Sequence, residues 1–285
     1  MAANTDIQWA DDTVNPTSGC DGCELWTAGV GGPCYAGAIH NRFRGGKAFP
    51  GPFEQIILHH GRMARAAARQ DLAGKSRPDK PWLDGHPRTI FLGDMADVFS
   101  RAVPFDYLKT EVVDVVTGPK GARHNWMILT KRPSRMAEFA RWLGAERGAG
   151  WPANLWAGTS VTARPNLSRL TQLCDVPAAV RFASLEPLTE PLSVAQWLGP
   201  AGVGMVIVGG ESTQPRYPAR PFDVAWARKV VAECRAAGVS AFVKQLGSSA
   251  IGQGIDGRLH DKHGGDWSEW PEDIRVRQHP GRDAA

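Results

Sequence analysis

Six short apolar runs, each closing on polar residues, constrain the fold of this chain more than any other feature. Thr89-Ile90-Phe91-Leu92 leads into Gly93-Asp94-Met95-Ala96-Asp97, Trp126–Leu129 into Thr130-Lys131-Arg132-Pro133, and Leu155–Gly158 into Thr159-Ser160. Val180–Ala183 leads into Ser184-Leu185-Glu186-Pro187, Met205–Val208 into Gly209-Gly210-Glu211, and Ala241–Val243 into Lys244-Gln245. Short unbroken apolar runs suit parallel strands buried on both faces. The segments between them, among them 106–116, 133–143, 166–174 and 222–237, have helical character, and Gly238 stands where the last would be C-capped. Strand starts recur every ~25–40 residues, the rhythm of repeated βα units. With a first strand near Ile7–Trp9 or just before Cys20, the pattern predicts a barrel or partial barrel. A doubly wound open sheet would carry a Gly-rich turn after its first strand, and this chain has none there.

In a barrel of parallel strands, function collects on loops at the carboxyl ends. That places Asp94, Asp97, Lys131, Thr159, Ser160, Glu186, Glu211, Lys244 and Gln245 at one mouth. Any one of them reads as a solvated loop residue, but nearly every run ends on a charged or hydroxyl side chain. Residues 40–88 read as an insertion, with a helix over 54–73 carrying Arg62, Arg65 and Arg69, capped by Gly74 and followed by a Pro/Gly/Lys-rich loop. Past Gly247 the strand rhythm stops. Residues 248–285 read as a C-terminal extension laid over a barrel of residues 1–247, anchored by Trp267 and Trp270 and frayed over its last dozen residues.

The 32 glycines and 21 prolines fit one loop-rich domain. No apolar run approaches the ~18–20 residues needed to span a bilayer. The N-terminal stretch MAANTDIQWADD lacks a basic-then-apolar leader pattern, so the expectation is a cytoplasmic protein with no membrane partner. A net charge of +4 is too mild to argue for nucleic acid by itself.

Five cysteines, an odd count, argue against a disulfide framework. Cys174 and Cys234 fall in expected helices and read as packing thiols. Cys20, Cys23 and Cys34 share one glycine-rich loop, within residues 15–36. Three thiolates there can chelate a metal, and two chemistries compete. With His40 they would make a structural Cys3His zinc site, stapling a nucleic-acid-binding module without catalytic activity. Without a fourth protein ligand they suit an iron–sulfur cluster with one iron open to a small molecule. The position, at the start of a βα series where a loop feeds the mouth, favours iron.

An ordered set of motifs carries a resemblance from Ile7 to Pro271. It comprises Ile7-Gln8-Trp9, Asn15-Pro16 with Gly19-Cys20, Cys34-Tyr35-Ala36 and Ile128–Pro133. Ser184–Leu188, Val208–Ser212 and Phe242–Gln245 complete it. On these the chain resembles the phage and bacterial family usually named after phage gene products 37 and 68, a three-cysteine, radical-SAM-like group. The resemblance implies an α/β fold, a radical SAM-type partial (βα)6 TIM-like barrel, with a [4Fe–4S] cluster and S-adenosylmethionine as cofactors. It also implies an electron donor such as flavodoxin or ferredoxin, and the host cytoplasm if the chain is phage-encoded. The cysteine spacing departs from the group: two residues then ten, with Tyr35 after the last cysteine rather than an aromatic before it.

On that resemblance Cys20, Cys23 and Cys34 hold three irons, and reductive cleavage of S-adenosylmethionine yields a 5′-deoxyadenosyl radical that abstracts hydrogen from the substrate. Gly93 and Asp94 end the second strand, where the methionine amino group is contacted. Thr159 and Ser160 end the fourth, where ribose contacts are expected, and Gly209, Gly210 and Glu211 contact S-adenosylmethionine or substrate. Lys131, Glu186 and Lys244 are the candidates for substrate binding or proton transfer, and read equally as members of a structural salt bridge inside the barrel mouth. The substrate is a small molecule, or a nucleotide or nucleic-acid base whose phosphates Arg42, Arg44, Lys47, Arg62 and Arg65 would meet, although with so mild a net charge these residues read first as a solvated basic face.

Overall fold

The structure, a computed structural model, describes residues 5–46, 49–148, 150–257 and 259–281. Its main sheet has seven strands: β1 (Asp12–Val14), β2 (Thr89–Leu92), β3 (Asn125–Thr130), β4 (Leu155–Ser160), β5 (Arg181–Leu185), β6 (Met205–Gly209) and β7 (Ser240–Gln245). Their order in the sheet is their order in the chain. A doubly wound sheet reverses its order at a switch point, so this sequential order excludes it. The fold is α/β. All six apolar runs became strands, and β2, β4 and β6 are buried along their whole length, as both-faced burial of parallel strands requires.

By backbone contact the chain divides into two compact units, residues 1–157 with 176–179 and residues 158–175 with 180–285. In the first unit β1 runs parallel to β2, pairing Asp12 with Ile90, and β2 runs parallel to β3, pairing Thr89 with Asn125. The first strand is therefore neither Ile7–Trp9 nor the residues just before Cys20. Trp9 instead packs its ring 4.4 Å from Phe91. Thr17–Ser18, next to Cys20, pairs antiparallel with Ile57–Leu58 in a small separate sheet.

That pairing also corrects the helix expected over 54–73. Ile57 and Leu58 are drawn into a strand and Gly61 turns at φ 72°, so only Arg62–Ala67 is helical. This is α2, after α1 (Tyr35–Arg42). The expected loop of 74–88 is ordered by buried polar bonds. Arg77 grips Asp11 at 2.7 and 3.2 Å, and Lys80 Nζ donates to the carbonyls of Thr5, Ile7 and Ala10 at 2.6–2.8 Å.

Residues 105–117 form α3, whose middle stretch, Leu108–Val113, is a π-turn. In α4 (Pro133–Arg147) proline opens the helix and Gly148 closes it. Phe139 of α4 lies 5.3 to 6.2 Å from the rings of Phe99, Phe105, Trp142 and Trp151, an aromatic cluster around the helix.

In the second unit β5 pairs parallel with β6, and β6 with β7. Ser168–Cys174 is α5 and Val224–Ala237 is α6. The latter is N-capped by Asp223, closed at Gly238 as its sequence predicts, and buries Val224, Ala227, Val230, Val231 and Cys234 along one stripe. The end of the chain corrects another expectation. Residues 276–278 lie antiparallel along β7, with Val243 N–H donating to the Val276 carbonyl at 2.8 Å and Gln278 N–H to Ala241 at 2.9 Å. The last residues up to 281 are packed rather than frayed because β7 has an open edge to satisfy; residues 282–285 lie outside the described residues. Trp270 is buried, with its indole donating to the Gly264 carbonyl at 3.1 Å.

Candidate metal centre

The cysteine loop is shaped by backbone hydrogen bonds. Gly19 sits at φ 85°, and a Cβ there would stand 2.1 Å from the Gln55 carbonyl, so only glycine lets the chain pass. Cys20 N–H then donates to the Phe53 carbonyl at 2.7 Å. Cys23 and Trp26 exchange backbone bonds of 2.9 and 3.0 Å, and Leu25 N–H donates to the Cys23 sulfur at 3.4 Å. Cys34 N–H donates to Leu25, and Cys34 then occupies the N-cap of α1. Trp26 is the pivot: its indole donates to Glu54 at 3.1 Å, and its ring meets Phe53 edge-on at 5.1 Å. Gly37 gives way to that ring, because a Cβ on it would come within 2.4 Å.

Cys20, Cys34 and Met95 pack against the cluster of Trp26, Ala36 and Phe53. All three thiols are free of disulfides and half-buried. Burial and the Asp97 carboxylate push the Cys20 thiol up to about 12. Burial also pushes up Cys34, against the Gly37 and Ala36 N–H groups at the start of α1. Cys23 lies within electrostatic reach of both. The donor set therefore suits a thiophilic group: three thiols in one neighbourhood that a metal would deprotonate as it binds. Among the described residues, no three Cys, His, Asp or Glu side chains are drawn in to metal-ligand spacing. His40, the fourth ligand of a Cys3His site, gives Nε2 to the Gly51 carbonyl at 2.9 Å and lies buried between Phe49 and Phe53.

Two residues of the strand-end runs hold this loop to the strand ends: Asp97, one of the expected mouth residues, and Arg132, which lies outside the sequence-based candidates. Arg132, just past β3, bonds Asp97 Oδ2 at 2.7 Å and the Gly22 carbonyl at 2.6 Å, and pairs with Asp21. Asp97 also accepts from Thr130 Oγ1 at 2.7 Å and from the Lys131 and Phe99 N–H groups at 3.0 Å. Asp21 accepts in turn from Ser100 Oγ and Arg101 N–H. Both residues were visible in the strand-end runs, but nothing in the sequence distinguished them from their charged neighbours.

Gly93 and Asp94 follow β2 directly. The Asp94 carboxyl is pushed up by burial; the Asn15 amide donates to it at 2.5 Å, and no Lys or Arg among the described residues pairs with it. Tyr35, next to Cys34, donates its hydroxyl to the Asp94 carbonyl, and Met95 N–H donates to Asn15 Oδ1 at 3.0 Å. Lys131 Nζ sits 3.2 Å from Glu24, so it too reaches the cysteine loop.

The other candidates belong to the second unit. Lys244 and Glu186 form an ion pair at 2.8 Å, with Ser184 Oγ 3.2 Å from the other Glu186 oxygen. A bulge between Val243 and Gln245 shifts the register of β7 at Lys244, the kind of irregularity that re-aims a side chain. Gly209 lies against this pair, Gly210 N–H donates to the Gln245 carbonyl at 3.0 Å, and Gln245 Nε2 donates back to the Gly210 carbonyl. Glu211 is buried and both its oxygens are held by Arg220, at 2.7 and 2.8 Å. Thr159 and Ser160 close β4, buried. Cys234 is buried in α6, and Cys174 is half-buried at the end of α5. Of the basic residues in the insertion, Arg62 donates to the Asn15 carbonyl at 3.1 Å, Arg42, Arg44 and Arg65 are exposed, and Lys47 lies outside the described residues.

Fold and site define an α/β protein of sequentially ordered parallel strands with a three-cysteine loop clamped to the ends of β2 and β3. Over residues 4–271 the chain matches, and belongs to, the family described as "Protein of unknown function (DUF5131)". No curated protein and no solved structure matches it. Among the described residues no helix is long and apolar enough to cross a membrane.

Proposed function

We propose that this protein is a cytoplasmic radical SAM enzyme built on a partial (βα)6 barrel. The observation that carries the reading is three free thiols on one loop, with Met95 packed against the same residues as Cys20 and Cys34 and the Asp94 carboxyl buried one residue before it. The thiols suit an iron–sulfur cluster with an open iron, and the carboxyl suits the ammonium group of a bound amino acid moiety. The sequential order of parallel strands is that of a singly wound (βα) barrel.

In this reading Cys20, Cys23 and Cys34 hold a [4Fe–4S] cluster, which with S-adenosylmethionine supplies a 5′-deoxyadenosyl radical for hydrogen abstraction. The protein binds, orients and excludes water. Asp94 receives the ammonium of the cofactor, and Asn15 and Tyr35 hold Asp94 in place. Arg132 and Asp97 fix the loop that carries the cysteines. Gly93 in the first unit, and Thr159, Ser160, Gly209 and Gly210 in the second, are the residues that the resemblance gives to the cofactor, and Glu211 keeps the β6 loop folded through Arg220. Lys131 and the Glu186–Lys244 pair bind substrate or hold a proton, at Nζ of Lys244 or Oε1 of Glu186. A nucleotide or nucleic-acid base is the substrate class that exposed Arg42, Arg44 and Arg65 would serve.

Anaerobic reconstitution with iron and sulfide tests the reading. A brown protein with about four irons per chain is expected, releasing 5′-deoxyadenosine when reduced with S-adenosylmethionine. Cys20→Ala, Cys23→Ala and Cys34→Ala should each lose iron, and Asp94→Asn should weaken S-adenosylmethionine binding by about tenfold or more while keeping it. A colourless protein holding one zinc and no S-adenosylmethionine would establish the zinc-stapled module instead. Full iron content in Cys34→Ala would refute the ligand assignment.

A further inference from the structure

α1 buries Ala36, Gly37 and His40 and turns a different face outward. Among the described residues, four of the six exposed large apolar side chains lie between positions 30 and 43: Val30 (80% exposed), Tyr35 (44%), Ile39 (38%) and Phe43 (54%). The last three recur at every fourth residue, so they form one stripe along the helix. Monomeric surfaces rarely gather apolar side chains this way without a partner.

Within the segment that carries the stripe the charge is of one sign. Residues 25–53 contain no Asp or Glu but three cations, Arg42, Arg44 and Lys47. Arg42 and Arg44 are exposed, and the Arg42 guanidinium lies 5.4 Å from the Phe43 ring centre. The acids at either end of the segment are already engaged: Glu24 with Lys131, and Glu54 with the Trp26 indole and the Gly29 N–H, Glu54 also lying within electrostatic reach of Arg44. An apolar stripe rimmed by cations complements a partner whose apolar patch is rimmed by carboxylates. The same helix starts at Cys34, and eight residues at 1.5 Å each put its far end only about 12 Å from that cysteine.

We propose that the outer face of α1, centred on Ile39 and Phe43 and flanked by Arg42 and Arg44, is the docking surface for a small acidic protein that carries a one-electron redox centre. The inference rests on the radical SAM reading, because it is the cluster at Cys34 that gives an electron donor a reason to sit there. The exchange is a single electron: the partner's reduced centre is oxidised by one, and the group held by the cysteines is reduced by one, with no bond made or broken. The surface supplies orientation and apolar burial, and the arginines steer the encounter.

Binding of flavodoxin, an acidic flavin protein, to the anaerobically reconstituted full chain is the test, measured by calorimetry at low and high salt. Wild-type protein should bind, with affinity falling about tenfold or more as salt screens the arginines. Ile39→Asp with Phe43→Asp, and separately Arg42→Glu with Arg44→Glu, should each weaken binding by about tenfold or more. All these side chains are exposed, so iron content should stay at the wild-type level in both variants, and 5′-deoxyadenosine formation with dithionite as reductant should stay at that level in Ile39→Asp with Phe43→Asp. Failure of wild-type protein to bind, or equal binding by the variants, overturns the docking surface while leaving the iron content to speak for the enzyme. Absence of iron in the wild type would refute the radical SAM reading itself. A wild-type dimer that the Ile39→Asp, Phe43→Asp variant turns into a monomer would assign the face to self-association. Retention of a single-stranded oligonucleotide that Arg42→Glu with Arg44→Glu abolishes would assign it to nucleic acid. Either result would also overturn the proposal.

Discussion

Arg132 does more for the cysteine loop than any other side chain outside it. One guanidinium joins Asp97, Asp21 and the Gly22 carbonyl, and the group it leaves if removed is a buried carboxylate. Arg132→Ala is therefore expected to destabilise the first unit by about 2–4 kcal/mol, read as a lowered urea midpoint. Arg132→Lys keeps the charge but loses the planar fork, and should recover only part of that loss. Sequence spacing pointed to Lys131 and not to its neighbour. Both side chains reach the cysteine loop, Lys131 at Glu24 and Arg132 at Asp21 and Gly22, and that a loop a hundred residues away comes within their reach is not written in the local pattern. Glu211 makes the same point in reverse. Its position after β6 suggested a ligand contact, whereas its buried carboxylate is fully taken by Arg220.

At the scale of elements, the strands were legible because burial on both faces leaves an unbroken apolar run, and Gly238 was legible because a helix end needs its conformation. The helix of 54–73 was misread because its basic residues recur at helical spacing while Ile57 and Leu58 find a strand partner in Thr17–Ser18. The C-terminal strap was misread for a similar reason: its order comes from the open edge of β7. Arg277 holds that strap, with its guanidinium 4.8 Å from the Trp267 ring, 5.3 Å from Trp270 and 5.8 Å from Phe242. Burial pushes its pKa down to about 10. Arg277→Ala should cost about 1–2 kcal/mol through the lost stacking. It should also raise hydrogen exchange along β7, as the strap loosens from an edge that then invites association.

For the whole molecule, acid stability offers a test at one half-buried base. His59 bonds Ser18 Oγ at 2.9 Å, and burial, helped by Arg62, lowers its pKa from an ordinary 6.5 to about 4. The unfolded chain then takes up a proton near pH 6.5 that the folded chain accepts only near pH 4, so the unfolded state binds more protons between those values. Stability should fall as pH drops through that window and level off below it as far as this group is concerned. His59→Gln, compared with the wild type by urea unfolding at a series of pH values, should show a shallower fall. What the sequence by itself determined is six of the seven strands of the main sheet, their unreversed order, and three cysteines on one glycine-turned loop, because burial and backbone conformation leave local marks on the chain. The tertiary structure alone decided that β1 is Asp12–Val14, that Arg132 and Asp97 clamp the cysteine loop, that Glu186 and Lys244 meet, and that the last residues seal an edge. Pairings between polar groups depend on which distant segments the folded backbone brings within hydrogen-bond reach, and no local periodicity records that distance.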